Sequence, residues 1–266
     1  MKSVLLTSIG TEWHTRILYK HVKDIKGIKV KYAQIGEILA NRSILLDVNV
    51  FWNLGFFKDA PSIYRIVKDY NPDIKIVNDW VGTDILMYAN VVGQYPVLKD
   101  FLLRDIDIHV TTSQLLADEL LSIGINPVIV EAIPEKMYNV MPLPDNKDFA
   151  TYIPFYRRDY YMYPVIEHLA EVFTDCNFHI FSLDSWKDFK PKFDNIIIHN
   201  KVVDKEKDEW IKNTRAFISL VKHAGVGVML IEYKQAGRYA IANRPLKYCY
   251  TCLLYTSDAA DDGESV

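Results

Sequence analysis

Cysteine is scarce in this chain. Three cysteines among 266 residues, at 176, 249 and 252, cannot build a disulfide framework, and they point to a reducing, cytoplasmic compartment. Long apolar runs are missing too. None approaches the roughly 18 residues that a transmembrane segment needs. The opening residues 1–7 pass at once into polar sequence and read as a first strand, not a signal peptide. Charge of one sign is also lacking. Lys and Arg number 31 against 34 Asp and Glu, for a net −3, so neither nucleic acid nor a membrane surface is implied as a partner. No G-x-S-x-G, H-E-x-x-H or P-loop pattern occurs. The one D-x-D, Asp105-Ile106-Asp107, opens a strand instead of ending one, so no metal is expected.

What is present is a chain 50% apolar and 24% charged, ordinary for a globular protein long enough for two small domains. Strand-like and helix-like segments alternate, the pattern of doubly wound α/β domains. Strands are expected at 3–7, 28–32, 74–77, 107–111 and 127–131, with a further apolar run at 44–48. Helices are expected at 12–23, 60–70 and 114–122. Residues 134–148 are rich in Pro, Asn and Asp and lack periodicity, so a linker falls near 141–145. The alternation then restarts, with strands at 149–154, 178–182 and 196–199 and helices at 165–173 and 204–213.

Residues 217–241, FISLVKHAGVGVMLIEYKQAGRYAI, carry the most chemistry. An apolar strand, a polar loop (Lys222-His223-Ala224-Gly225), a helix and a second strand follow one another. Free N–H groups at a helix start make such a loop an anion site. Gly225 and Gly227, flanking Val226, allow close approach of a phosphate, or else only make the turn. Gly237 is placed to end the helix. Strand ends elsewhere offer Gly10, and the segment 78–84 (NDWVGTD) with Asp84 as helix cap, ligand group or both. His109 on its strand reads as a packed core residue.

The pattern H-x-G-x₆-E-x₄-G-R over 223–238 resembles the donor loop and helix of retaining glycosyltransferases of family 4. Trp80, Gly82, Thr83 and Asp84 match a second signature of such proteins, H-W-x-G-[ST]-D, with Asp79 at the histidine. The resemblance implies the GT-B fold, two Rossmann-like domains facing across a cleft, here 1–143 and an incomplete 144–251. It implies transfer, with retention, of a sugar from a nucleoside-diphosphate sugar to a glycan, lipid or protein acceptor, with no metal or other cofactor. Glu232 would hold the ribose. Lys222, Gly225, Val226 and Gly227, helped by Arg157 or Arg158, would hold the diphosphate. Gly10 and Asp84 would serve the first domain, and Asp84 and His223 would act at the reacting centre. The family's acidic loop residue is replaced by Ala224, which keeps open a non-catalytic nucleotide-sugar binding module. A sugar-nucleotide epimerase of similar fold is the other alternative. Residues 252–261, CLLYTSDAAD, resemble a translated sequencing adapter, so 252–266 is expected to be a non-native read-through tail. Its four acids and lack of Lys or Arg mean that the net charge without it is +1.

Overall fold

The computed structural model describes residues 2–8, 12–200, 204–223, 227–244 and 250–251. The chain divides into two compact units, residues 1–135 with 223–226, and residues 136–222 with 227–266.

In the first unit β1 (Lys2–Ser8), α1 (Glu12–Val22), β2 (Ile28–Tyr32), α2 (Ile35–Ala40), β3 (Val50–Leu54), α3 (Ala60–Tyr70), β4 (Lys75–Trp80), α4 (Thr83–Gln94), α5 (Lys99–Leu103), β5 (Ile108–Thr111), α6 (Gln114–Ser122) and β6 (Val128–Ile129) alternate. The strands pair in parallel in the order β2-β1-β3-β4-β5-β6. Parallel strands are covered on both faces, so their side chains are buried whichever way they point. Leu5, Phe51, Ile76 and Trp80 pack with Tyr64 of α3 and with Ile85 and Tyr88 of α4. Ser113 caps α6 by accepting from the Leu116 N–H, and Gly124 takes φ +79° just beyond it, as the sequence predicts.

One expectation needs correction. The apolar run at 44–48 is not a strand. It forms a short 3-10 turn at Arg42–Leu45 and a loop, and β3 follows at Val50–Leu54. Leu45 still enters the core, and Asn71 donates to the Leu45 and Val48 carbonyls at 2.9 and 3.1 Å. These bonds replace the sheet pairing that the run lacks. Asn53 disguised the true strand. Its amide lies in the core, donating to Tyr64 Oη at 2.7 Å and to the Gly55 carbonyl at 2.6 Å, and Tyr64 donates in turn to Asn78 Oδ1.

The second unit repeats the plan with β7 (Asp148–Tyr152), α7 (Tyr163–Val172), β8 (Asn177–Ser182), β9 (Ile196–Asn200), α8 (Asp204–Asn213), β10 (Ala216–Ser219), α9 (Val228–Gln235), β11 (Tyr239–Ala242) and β12 (Tyr250–Thr251). All pair in parallel, in the order β12-β11-β10-β7-β8-β9. Helix α9 ends at Gly237 with φ +80°. A side chain there would meet Val140 Cγ1 at 2.9 Å. The next residue, Arg238, is buried and donates to four carbonyls: Ile211 and Lys212 at the end of α8, and Met141 and Pro142 of the entering segment, at 2.8–3.1 Å. One guanidinium thus fastens the entering strap to α8 and to the start of β11.

At the far edge of this sheet, His179 Nδ1 lies 3.0 Å from His199 Nε2. One ring donates to the other, so both cannot be protonated without losing the bond. Trp210 of α8 packs on both, with ring centroids 4.8 and 4.1 Å away. Asp148 lies 3.6 Å from His179 Nε2. Burial depresses both histidines, His199 to about 4, with the neighbouring His179 adding to its depression.

Two tests follow. Arg238→Met leaves four buried carbonyls without their donor and should cost roughly 3 kcal/mol in denaturant unfolding; an unchanged midpoint would refute the strut. For the histidines, the folded values lie below the ordinary 6.5, so the unfolded chain takes up protons first. Stability should therefore fall as pH drops from about 6.5 toward 4. His199→Gln, read by thermal melts across that window, should flatten the fall.

Candidate functional site

Ligands in open parallel sheets bind beyond the carboxyl ends of the strands. In the first unit that edge holds the turn between β4 and α4. Gly82 has φ +131°, a value that excludes side chains there. The turn wraps around Asp84. Its Oδ1 accepts from the Gly82 N–H at 2.8 Å and the Ile85 N–H at 3.1 Å, and Val81 N lies 3.2 Å away. Its Oδ2 accepts from Phe56 N–H at 2.8 Å, which ties in the loop after β3. The residue is 0% exposed. Burial pushes its carboxyl up, and the backbone donors pull against that shift. Both oxygens are committed to backbone, so Asp84 fixes two strand-end loops to each other.

Asp79, one position before Trp80, is different. It too is buried, but its Oδ1 has no hydrogen-bond partner. Burial raises its carboxyl to about 7; the charge of Asp84 adds to the rise, and the Trp52 indole opposes it without completing a hydrogen bond. His109 is the packed residue expected. It accepts from Trp80 Nε1 at 3.2 Å, and burial lowers it to about 4. Asp107 of the D-x-D is engaged by Lys68 and Lys75 at 2.8 and 2.9 Å. Gly10 lies outside the described residues.

In the second unit the loops after β7, β10 and β11 are tied together at the same kind of edge. The Lys222 N–H donates to the Tyr160 carbonyl at 3.0 Å. Asn243 donates to the Val221 carbonyl and accepts from the Val221 N–H, at 3.0 and 3.3 Å. Arg157 is exposed and lies over the Tyr156 ring; Arg158 is half-buried over Phe155. The sequence reading missed Arg244. It is buried, and its NH1 reaches Asn243 Oδ1 at 3.1 Å and the Ser219 carbonyl at 3.4 Å. The signal was available: Asn-Arg directly after the apolar strand Tyr239–Ala242.

Helix α9 begins at Gly227, which offers no side-chain cap. The helix buries Leu230, Glu232 and Tyr233. Glu232 is 0% exposed. Its Oε1 accepts from the Lys136 N–H at 3.1 Å, and its Oε2 lies 3.3 Å from Lys207 Nζ. His223 Nε2 is 2.7 Å from Glu119 Oε2, and His223 groups with the first unit. Ala224, Gly225 and Val226 lie outside the described residues.

No protein-family model and no curated protein matches the chain. Solved structures do. A glycosyltransferase from Rickettsia africae aligns with TM-score 0.58 at 14% identity, over 91% of this chain and 79% of that one. A UDP-GlcNAc 2-epimerase from Methanocaldococcus jannaschii, solved in complex with UDP-GlcNAc and UDP, aligns with TM-score 0.53 at 13% identity, over 93% and 85%. TarM aligns with TM-score 0.51 at 14% identity over 73% of this chain, which spans 40% of that longer one. With two parallel α/β domains in hand, these likenesses define the class. The fold is of the GT-B type, built from Rossmann-like domains. Among the described residues no helix is long and apolar enough to cross a membrane.

The Asp84 cage is directly testable. Asp84→Asn turns a donor toward the Phe56 or Gly82 N–H and should cost about 2 kcal/mol in unfolding free energy. An unchanged transition would show that the cage does not hold the loops.

Proposed function

We propose that the protein transfers a sugar, with retention, from a nucleoside-diphosphate sugar to an acceptor hydroxyl. The observation that carries this reading is the second unit's strand edge. An uncapped α9 start and the buried acid Glu232 within its first two turns follow β10, and the buried cation Arg244 follows β11 and bonds Asn243 and the Ser219 carbonyl. In this reading Glu232 accepts from the ribose hydroxyls. The N–H groups of α9, with Arg244, Lys222 and Arg157 or Arg158, meet the charge that grows on the leaving diphosphate. Protein cations and N–H groups do this work instead of a metal. His223, oriented by Glu119, is assigned to the transferred sugar. Asp84 serves by position, setting the turn that carries Trp80 and Gly82. The acceptor is a glycan, lipid or protein, and the few cysteines support a cytoplasmic setting for the reaction.

The fold-sharing epimerases support a second reading, in which the sugar nucleotide is isomerised without an acceptor. Ala224, at the family's acidic position, supports a third, in which the nucleotide sugar is bound but not turned over.

Glu232→Ala decides whether the nucleotide sits here. The variant should bind UDP and UDP-GlcNAc at least 10-fold more weakly, about 1.4 kcal/mol, by calorimetry. Equal affinity in both proteins would sink the ribose assignment. Product analysis without acceptor separates transfer from epimerisation, since only an epimerase makes an isomeric sugar nucleotide.

A further inference from the structure

Helix α4 of the first unit turns an uncharged face to solvent. The helix buries Asp84, Ile85 and Tyr88 on one side. Helical spacing puts Leu86, Met87, Asn90, Val91 and Gln94 together on the other. A 3-10 turn at Pro96–Leu98 links α4 to α5. Tyr95 and Val97 stand out from this link, and Phe101 stands out from α5. Leu86, Met87, Val91, Tyr95, Val97 and Phe101 are between 38% and 87% exposed. No Asp, Glu, Lys, Arg or His occurs anywhere in 85–98. The chain as a whole is 24% charged, so an ordinary solvated stretch of that length would hold about three charged residues.

The patch is large as well as uncharged. Tyr95 and Phe101 are each 57% exposed. Aromatic side chains present about 150–250 Å², so these two leave about 200 Å² uncovered. With the other four side chains added, the surface passes the few hundred Å² at which apolar patches mark interaction sites. The amides on this face already serve each other, because Gln94 Nε2 donates to Asn90 Oδ1 at 3.1 Å. Covering them therefore strands fewer polar groups. Charges return only at the margin, as Lys99-Asp100 and Arg104-Asp105. Arg104 lies 3.7 Å from Asp105 Oδ1 and 5.4 Å over the Phe101 ring. Two cations and two acids cancel there.

That balance selects the occupant. A bilayer surface is held by an excess of Lys and Arg beside the apolar residues, and this margin has no excess. A charged partner would find no net charge to meet. A second copy of the same surface fits. A two-fold axis sets each patch against its own image, where any net charge would repel itself, and this patch has none. Met, Tyr and Phe without charge at the centre and charged residues around them is also the composition of a protein–protein contact.

We propose that the α4–α5 surface is the contact between two copies of this chain related by a two-fold axis, with Leu86, Met87 and Val91 at its centre and the two charge pairs at its rim. The proposal is independent of the glycosyl-transfer reading and holds whatever the second unit binds.

The test is sedimentation equilibrium of the full chain over about 1–100 μM, with thermal melts at the same concentrations. The wild type should pass from monomer to dimer across this range, and its melting temperature should rise with concentration. Val97 is 87% exposed, so Val97→Glu spares the core. It brings two like charges into the contact and should weaken the dimer at least about 10²-fold. Leu86→Lys introduces the opposite sign and should do the same, which keeps the test open if Val97→Glu misfolds. Both folded variants should melt at a temperature independent of concentration. A wild type that stays monomeric throughout would overturn the proposal. So would a dimer of equal affinity in wild type and both variants, which would put the contact elsewhere. So would assemblies that keep growing beyond a dimer, which a closed two-fold contact excludes. A monomeric wild type that sediments with neutral phosphatidylcholine vesicles, when neither variant does, would make the surface a membrane contact instead.

Discussion

Parallel pairing is the constraint on which this molecule depends. Every strand of each sheet runs the same way, so every strand ends at the same edge and hands the chain to a loop there. Both faces of such a sheet are covered, and the edge is the place left for polar chemistry. The fold then needs few special residues to gather a site. In the second unit, loops that are far apart in sequence meet because β7, β10 and β11 stop side by side, and the Asn243 side-chain amide holds two of them by bonds to the Val221 main chain. In the first unit the Asp84 carboxylate does the corresponding work between the loops after β3 and β4.

Two carboxylates five residues apart show how environment divides labour. Asp84 and Asp79 are both buried beside the same turn, and burial pushes both upward. Backbone N–H groups saturate one, and the Asp79 Oδ1 has none. Residue type and burial are therefore poor guides to role at this edge. The count of donors around each oxygen distinguishes the acid that holds the two loops together from the acid that does not.

Much of the architecture was legible because its signals are local. The α/β alternation, the Ser113 cap and the glycine stops at Gly124 and Gly237 are written within a few residues of where they act. The third strand was not legible. Its pattern is interrupted by Asn53, whose amide is satisfied by Tyr64, eleven residues on, and the more apolar run at 44–48 competes for the assignment. The site was legible in outline only. Glu232 stood out through a family resemblance, but nothing in its spacing reveals that it is wholly buried against Lys207 and the Lys136 N–H. Arg244 follows an ordinary apolar strand, and its burial depends on Ser219 and Asn243 from elsewhere in the chain. Asp79 was visible as a departure from a motif. Its unmet Oδ1 depends on which groups fail to reach it, and that is a property of the folded sheet alone.

The Arg238 strut also bears on how the gene can be cut. The guanidinium grips the carbonyls of Met141 and Pro142, the Lys136 N–H is spent on Glu232, and Tyr138 bonds Asp208 on α8. On the other side of one peptide bond, Glu135 and Pro134 bond Lys20 and His21 of α1. Residues 134 and 135 thus bond within the first unit, and Lys136, Tyr138, Met141 and Pro142 bond within the second. A shuffled or separately expressed second half that starts at residue 144 would leave behind its own fastening, and a chimera joined there would graft one parent's strap onto another parent's arginine.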